Sequence, residues 1–195
     1  MHDPRSPAPP RVIQPKNKRT LLLIAAVAVA PVVASYVAYY LFPRETQTNY
    51  GELLPTSLAP PIAGTRLDGG AFELSGLRGK WVLVNAGPGA CDAECARVLH
   101  ATRQARAIQG RERQRVQRVW LVSDAGTPEA ALLALHPDLV AARVSEAAVA
   151  ALPAGAERIH LIDPLGNVVL AYSRDPDIKA VARDLQRLLR ASRIG

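Results

Sequence analysis

Gly87-Pro88-Gly89-Ala90-Cys91-Asp92-Ala93-Glu94-Cys95 holds the only two cysteines of a 195-residue chain, four positions apart. The preceding run, Trp81-Val82-Leu83-Val84-Asn85-Ala86, reads as a buried strand. The following run, Ala96 to Gln109, has helical composition and stops at Gly110, a natural residue just past a helix end. Strand, Gly/Pro turn, paired thiols and helix therefore follow in order. With Cys95 in the first helical turn, the spacing sets both sulfurs on one helix face. The positive end of the helix dipole there favours thiolate over thiol, while Asp92 and Glu94 oppose it. Such a pair can close a disulfide or chelate a soft metal such as Cu(I). The competing reading is a purely structural disulfide, or two buried small apolar residues. The isolation of the pair in a strand-to-helix turn favours the functional reading. A bond between helical residues four apart is expected to distort the backbone around Asp92-Ala93-Glu94 and to be readily reduced.

Toward the N-terminus, residues 1–19 are rich in proline and polar groups and are predicted to be a disordered, basic, cytoplasmic tail. Residues 20–42 are apolar and uncharged, long enough for a transmembrane helix kinked at Pro31, with Tyr36, Tyr39 and Tyr40 at its far end. A cleaved signal peptide has a shorter apolar core of about 7–15 residues, so an uncleaved anchor is expected. Lys16, Lys18 and Arg19 flank one end, while Arg44 and Glu45 cancel at the other. The positive-inside rule then puts everything from Pro43 onward across the membrane. In a Gram-negative bacterium that is a single-pass inner-membrane protein with its C-terminal domain in the periplasm, where disulfides persist. The net charge of +7 includes five cations and one acid in residues 1–20, leaving +3 for the rest. That mild excess argues against nucleic acid as partner. Oligomeric state is left open.

Residues 43–61 read as a polar linker, and 62–195 as one globular domain. Leu67-Asp68-Gly69-Gly70 is a turn, and Ala71-Phe72-Glu73-Leu74 alternates like a short strand. The arginines at 97, 103, 106, 111, 113, 115 and 118 read first as a solvated face and second as a docking surface for an acidic partner. Val116 to Val122 is the next strand. Thr127-Pro128-Glu129 begins a helix that ends near His136-Pro137. Leu139 to Val144 suits a short strand. Arg158 to Ile162 and Val168 to Tyr172 make a hairpin about Asp163-Pro164-Leu165-Gly166-Asn167. Asp175-Pro176 caps a final helix with Ile178, Val181, Leu185, Leu188 and Leu189 on one face. Strands alternating with helices predict an α/β sandwich.

In this frame, Leu67-Asp68-Gly69-Gly70-Ala71-Phe72-Glu73-Leu74, Leu77-Arg78-Gly79-Lys80-Trp81-Val82-Leu83-Val84 and Cys91-x-x-x-Cys95 resemble the Sco/SenC family. Val122-Ser123-Asp124, Thr127-Pro128-Glu129 and Leu161-Ile162-Asp163-Pro164-x-Gly166 continue the resemblance over residues 58–192. It implies a thioredoxin-like (Sco-type) three-layer sandwich behind one N-terminal transmembrane helix. It also implies a role in cytochrome c oxidase assembly, through copper delivery or thiol reduction by Cys91 and Cys95. The partner would be a respiratory oxidase subunit or one of its assembly factors. This chain departs from the pattern where the family places its copper-ligand histidine. That position is Gly155, and the proline usual after the first cysteine is Asp92.

Other histidines do not fill the gap. His100 faces away around its helix from both cysteines. His136 ends a different helix. His160, the remaining candidate third ligand, lies five residues from Gly155, and strand alternation points it to the opposite face. Copper would then be Cu(I) held by two thiolates. Two further readings stand beside it: a periplasmic thiol-disulfide oxidoreductase without copper, and a non-catalytic thioredoxin-like scaffold holding an assembly partner. A thioredoxin proper would need CxxC and a proline just before the strand facing the thiols. Here the spacing is CxxxC, and Pro153 falls five residues before Arg158.

Overall fold

The computed structural model describes residues 18–41 and 49–192, which fall into two units. The first is a single helix, α1 (Lys18–Leu41), with Pro31 inside it. Lys18–Val37 has a mean hydropathy of 2.3, so this helix is long and apolar enough to cross a membrane. Tyr36 and Tyr40 stack on its surface, ring centroids 6.4 Å apart. The expected tail up to Asn17, the end of the span at Phe42 and the first part of the linker lie outside the described residues.

The second unit is built on one mixed sheet. Its strands are β1 (Glu52–Leu58), β2 (Ala63–Arg66), β3 (Ala71–Glu73), β4 (Trp81–Gly87), β5 (Val116–Val122), β6 (Leu139–Val144), β7 (Ile159–Ile162) and β8 (Asn167–Tyr172). They lie in the order β1-β8-β7-β4-β5-β6-β2-β3. The helices are α2 (Ala93–Ala107), α3 (Ala130–Ala134), α4 (Glu146–Ala150) and α5 (Ile178–Ala191). β4, β5 and β6 run parallel, while β7 pairs antiparallel with β4 on the other side. β4 is a near-continuous apolar run because the sheet is covered on both faces. Trp81 and Leu83 pack against α2 and α5, through Val98, Val181, Leu185 and Leu189. Val82, Val84 and Ala86 pack on the opposite face with Leu74 and with Val149 of α4. The result is a three-layer α/β sandwich of thioredoxin type, as expected.

Several local expectations shift. Strand β1 forms inside the stretch read as a linker, pairing with β8 at the sheet edge. α4 had no foreseen counterpart. α3 starts at Ala130 with Glu129 as its N-cap, two residues past the N-cap expected at Thr127. α5 is capped by Asp177, whose carboxylate accepts from Lys179 and Ala180 N–H, rather than by Asp175. Arg118 is not on a solvated face. It is fully buried in β5, donating to the Leu99 carbonyl (2.7 Å), the Thr102 hydroxyl (3.2 Å) and the Asp138 carboxylate (3.3 Å). Burial pushes its pKa down, and Asp138 opposes that shift. Held this way, Arg118 ties the middle of α2 to the sheet beneath it.

Candidate functional site

The cysteine loop leaves the sheet where β4 ends beside β5, with Gly87 opposite Val122. The next segment, Pro88 to Ala90, lies directly against the loop after β5. Asp124 Oδ1 accepts from Gly89 N–H at 2.8 Å and from Gly126 N–H at 3.1 Å. Arg143 of β6 donates from the other side to the carbonyls of Asp124 and Gly126. The approach is so close that a Cβ on Gly89 would overlap the Gly126 carbonyl, and one on Gly126 would lie 2.6 Å from Ala90 N. Two glycines and one buttressed carboxylate thus fix the path of the chain into the first cysteine.

Asp92 then ends the loop. It is the N-cap of α2, in extended conformation, and its Oδ1 accepts from Cys95 N–H at 2.8 Å. Cys91 therefore precedes the helix, and only Cys95 lies in its first turn. The two sulfurs are joined in a disulfide, across a Cα–Cα distance of 5.2 Å. This corrects the expectation that both thiols share a helix face and that oxidation distorts Asp92-Ala93-Glu94. Because Cys91 approaches from the loop, α2 starts at Ala93 with its cap in place while the bond is closed. Cys95 is buried against Leu99, Trp120 and Val122, whereas Cys91 is only half-buried. An incoming thiol meets Cys91 first.

The acids near the pair are both engaged. Asp92 caps the helix, and Glu94 faces Arg174, with Nη1 to Oε1 at 3.6 Å. Arg174 also donates to the Ala86 carbonyl at 3.1 Å, so the loop before α5 is tied to the end of β4 and to the first turn of α2. The indole N–H of fully buried Trp120 has no hydrogen-bond partner among the described residues and, like the Cys95 sulfur, lies near Gly87.

The described histidines lie elsewhere. His160 stands on β7 between Val84 of β4 and Ala171 of β8, whose side chains line the core on the face away from α2 and Cys95. It is fully buried, and its Nε2 lies 2.7 Å from the Pro153 carbonyl, which can only accept, so Nε2 carries the proton. Burial pushes its pKa down. His136 is buried beside a cavity of about 590 Å³ with Asp138 and Arg66, and burial with nearby Arg118 lowers its pKa too. His100 is exposed on α2. Gly155 is exposed, at φ +93°, with open space around it. Among the described residues no three His, Cys, Asp or Glu side chains converge on a common point. The structure brings together Cys91 and Cys95 and leaves His160 apart.

Residues 81–192 match the family model described as the transmembrane-like, thioredoxin-like, C-terminal domain. The chain belongs to that family. No curated protein sequence matches this member. Solved structures share its fold. Bradyrhizobium japonicum ScoI with copper bound is 20% identical, with TM-score 0.55 over 67% of this chain and 99% of its own. Apo Sco1 from Thermus thermophilus is 24% identical, with TM-score 0.56 over 75% and 98%. The thioredoxin domain of a thiol-disulfide oxidoreductase from Bacteroides vulgatus is 20% identical, with TM-score 0.51 over 70% and 99%. Sequence reasoning did not single out Asp124, Arg143 and Arg174 as parts of this thioredoxin-like site. For Asp124 a signal was present, since Val122-Ser123-Asp124 belongs to the stretch that resembles Sco. Arg174 carried none, because its role depends on contacts with residues 80 and more positions away.

Proposed function

We propose that this chain is a membrane-anchored, Sco-like thiol-disulfide exchange protein serving a respiratory oxidase subunit or its assembly factors outside the cytoplasm. The observation that carries the reading is the Cys91–Cys95 disulfide at the start of α2, one cysteine half-buried and the other buried. A partner thiolate attacks the Cys91 sulfur, the disulfide breaks, and the electron pair leaves on Cys95. The helix N-terminus stabilises the charge that forms there. A second partner thiolate then resolves the mixed disulfide and releases Cys91 as a thiolate. The partner loses two electrons, and the pair gains them. Run backward, the same steps reduce a partner disulfide. A redox titration in glutathione or dithiothreitol buffers, read by thiol alkylation and mass, tests this. A midpoint well below about −300 mV marks the bond as structural and removes the redox role.

Copper as cargo is the second reading, favoured by a fold shared with Sco structures that hold copper. The donor set here is two thiolates, suited to soft Cu(I) and poor for Cu(II), which imidazole would support. Anaerobic Cu(I) titration of wild type against Cys91→Ser separates the readings. Stoichiometric Cu(I) lost in the variant supports delivery, and no uptake by the reduced wild type ends it. Topology rests on α1 and the cations at its start. A reporter active only outside the cytoplasm, fused after Gly195, should be active, and an inactive fusion overturns the orientation.

A further inference from the structure

The charge of the described domain is divided between its layers. Residues 49–192 carry seventeen arginines and lysines against fifteen acids, a net of only +2. α2, the 3-10 segment Gly110–Arg115 that follows it, and α5 hold ten of those cations and three of the acids, a net of +7. The remaining residues hold seven against twelve, a net of −5. α2 and α5 lie side by side on one face of the sheet, joined across their backs by Gln109 donating to the Ala182 carbonyl. None of the three acids answers the exposed cations of α2. Glu94 faces Arg174, Glu112 pairs with Arg115 at 2.7 Å, and Asp184 is buried, accepting from Tyr50 and Gly51 N–H. Arg97 and Arg103 are exposed and make no ion pair among the described residues.

This positive layer begins at the disulfide. Arg97, His100 and Arg103 succeed one another at three-residue spacing from the turn that holds Cys95, on the exposed side of α2. A groove of about 410 Å³ runs alongside, between Ala96, Arg97, His100 and Ala101 of α2 and Asp175, Pro176 and Ile178 at the start of α5. A protein that presents a thiol to Cys91 must cover the ground around it. An interface of ordinary size, about 800 Å² per partner, extends well over the first turns of α2. Facing arginines that make no ion pair among the described residues, a basic or neutral surface would be repelled or left unpaired, whereas carboxylates can pair with the guanidinium fork. Among large apolar side chains that are exposed, only Ile108 belongs to this layer, whereas a helix lying in a lipid interface needs an apolar face to bury.

We propose that the exposed face of α2, along Arg97, His100 and Arg103, is the docking surface for an acidic segment of the protein whose thiols exchange with Cys91 and Cys95. The proposal rests on the thiol-exchange reading for its purpose, but its test can fail separately. Two synthetic dithiol peptides, one flanked by glutamates and one by lysines, are reacted with the oxidised full-length protein in neutral phosphatidylcholine nanodiscs. The readout is the ratio of their rates on the same protein, each corrected for the peptide's rate with a small disulfide, so that intrinsic thiol reactivity cancels. At low salt the glutamate peptide should react about tenfold or more faster, and the preference should collapse in high salt. In the double variant Arg97→Glu/Arg103→Glu the preference should vanish or invert. Equal rates for both peptides on wild type overturn docking and leave thiol exchange standing. If neither peptide reacts, thiol exchange falls. Docking is then decided by anisotropy with a fluorescent glutamate peptide whose cysteines are serines, where binding lost in the double variant supports it and no binding ends it. If wild type shows no glutamate preference in neutral nanodiscs, and amide exchange along α2 slows in phosphatidylglycerol nanodiscs for wild type but not for the double variant, the face belongs to lipid and the proposal is overturned.

Discussion

The two loops that would have to cooperate in a three-donor copper site are built to opposite standards. The loop from Gly87 to Asp92 is fastened at every step: Gly89 to Asp124, the Asp124 loop to Arg143, Ala86 and Glu94 to Arg174, and Asp92 to the first turn of α2. The loop from Pro153 to Arg158 holds Ala154 and Gly155 at positive φ with open space around Gly155, and offers no donor side chain at that position. One half of such a site is held by hydrogen bonds to several elements, and the other is held by His160 at the Pro153 carbonyl, with Gly155 left open. A chain kept for two-thiol chemistry needs only the first half. Differences between the two loops in their tolerance of substitution are therefore a direct measure of what the site does.

The largest effect is expected at Gly89. Alanine there drives a Cβ into the Gly126 carbonyl, a backbone atom that cannot rotate away, so one of the two loops must move. We expect a loss of about 3 kcal/mol or more in urea unfolding of the oxidised protein, together with faster reduction of the disulfide. Unchanged stability would mean that the two loops are not packed as described. Asp124→Ala comes next. It removes the acceptor of two backbone N–H groups, one of them only partly buried and the other solvent-exposed, so about 1–2 kcal/mol is expected. Asp124→Asn should recover much of it, since the amide oxygen can still accept.

How much of this was legible beforehand follows from what each residue touches. β5 and β6 were readable at their observed bounds because both are rich in Val, Leu and Ala and lie inside the sheet, between β4 and β2. β1 was not, since only Leu54 of its seven residues is buried and Pro55 interrupts it, as suits an edge strand. α4 is five residues long, too short for a helical period to show. At the site, the cysteine pair and the strand before it were plain. The helix start was misplaced because spacing alone cannot tell an N-cap from a first-turn residue, although Asp92 three positions before Cys95 carried the capping signal. Arg118 was grouped with solvated arginines because its partners on α2 and near β6 are remote in sequence.

Gly155→His tests the open loop. The backbone there is left-handed at φ +93°, so any side chain is strained, and roughly 1–2 kcal/mol of stability should be lost in thermal or urea unfolding. The resemblance to Sco places a ligand at this position, so Cu(I) affinity of the reduced protein should rise about tenfold if the loop can close over the cysteines. A stability loss with no gain in copper affinity would mean that the loop cannot reach them.

The smallest effect concerns His160, which pins the same loop from beneath by donating to the Pro153 carbonyl. Its Nδ1 is buried without a partner among the described residues, so a second proton would find no acceptor there, and Arg158 adds repulsion. Its folded-state pKa is therefore below the ordinary 6.5, chiefly through burial. The unfolded chain then binds more protons than the folded one as pH falls below about 6.5, and stability falls with it. A single such group contributes at most about 1 kcal/mol between pH 6.5 and 5.5. His136 is shifted the same way, so the wild-type slope is shared between the two. Asp138, held below its usual range by Arg118 and Arg106 against the opposing pull of burial, acts only in more acidic solution. His160→Gln can keep a donor to Pro153 while removing the titration. Urea unfolding at pH 7.5, 6.5 and 5.5 should show the variant's stability falling less than wild type across the last step, by up to about 1 kcal/mol. Identical slopes would mean that His160 takes its second proton inside the fold, and so has an acceptor or a route to solvent that the closed core does not provide.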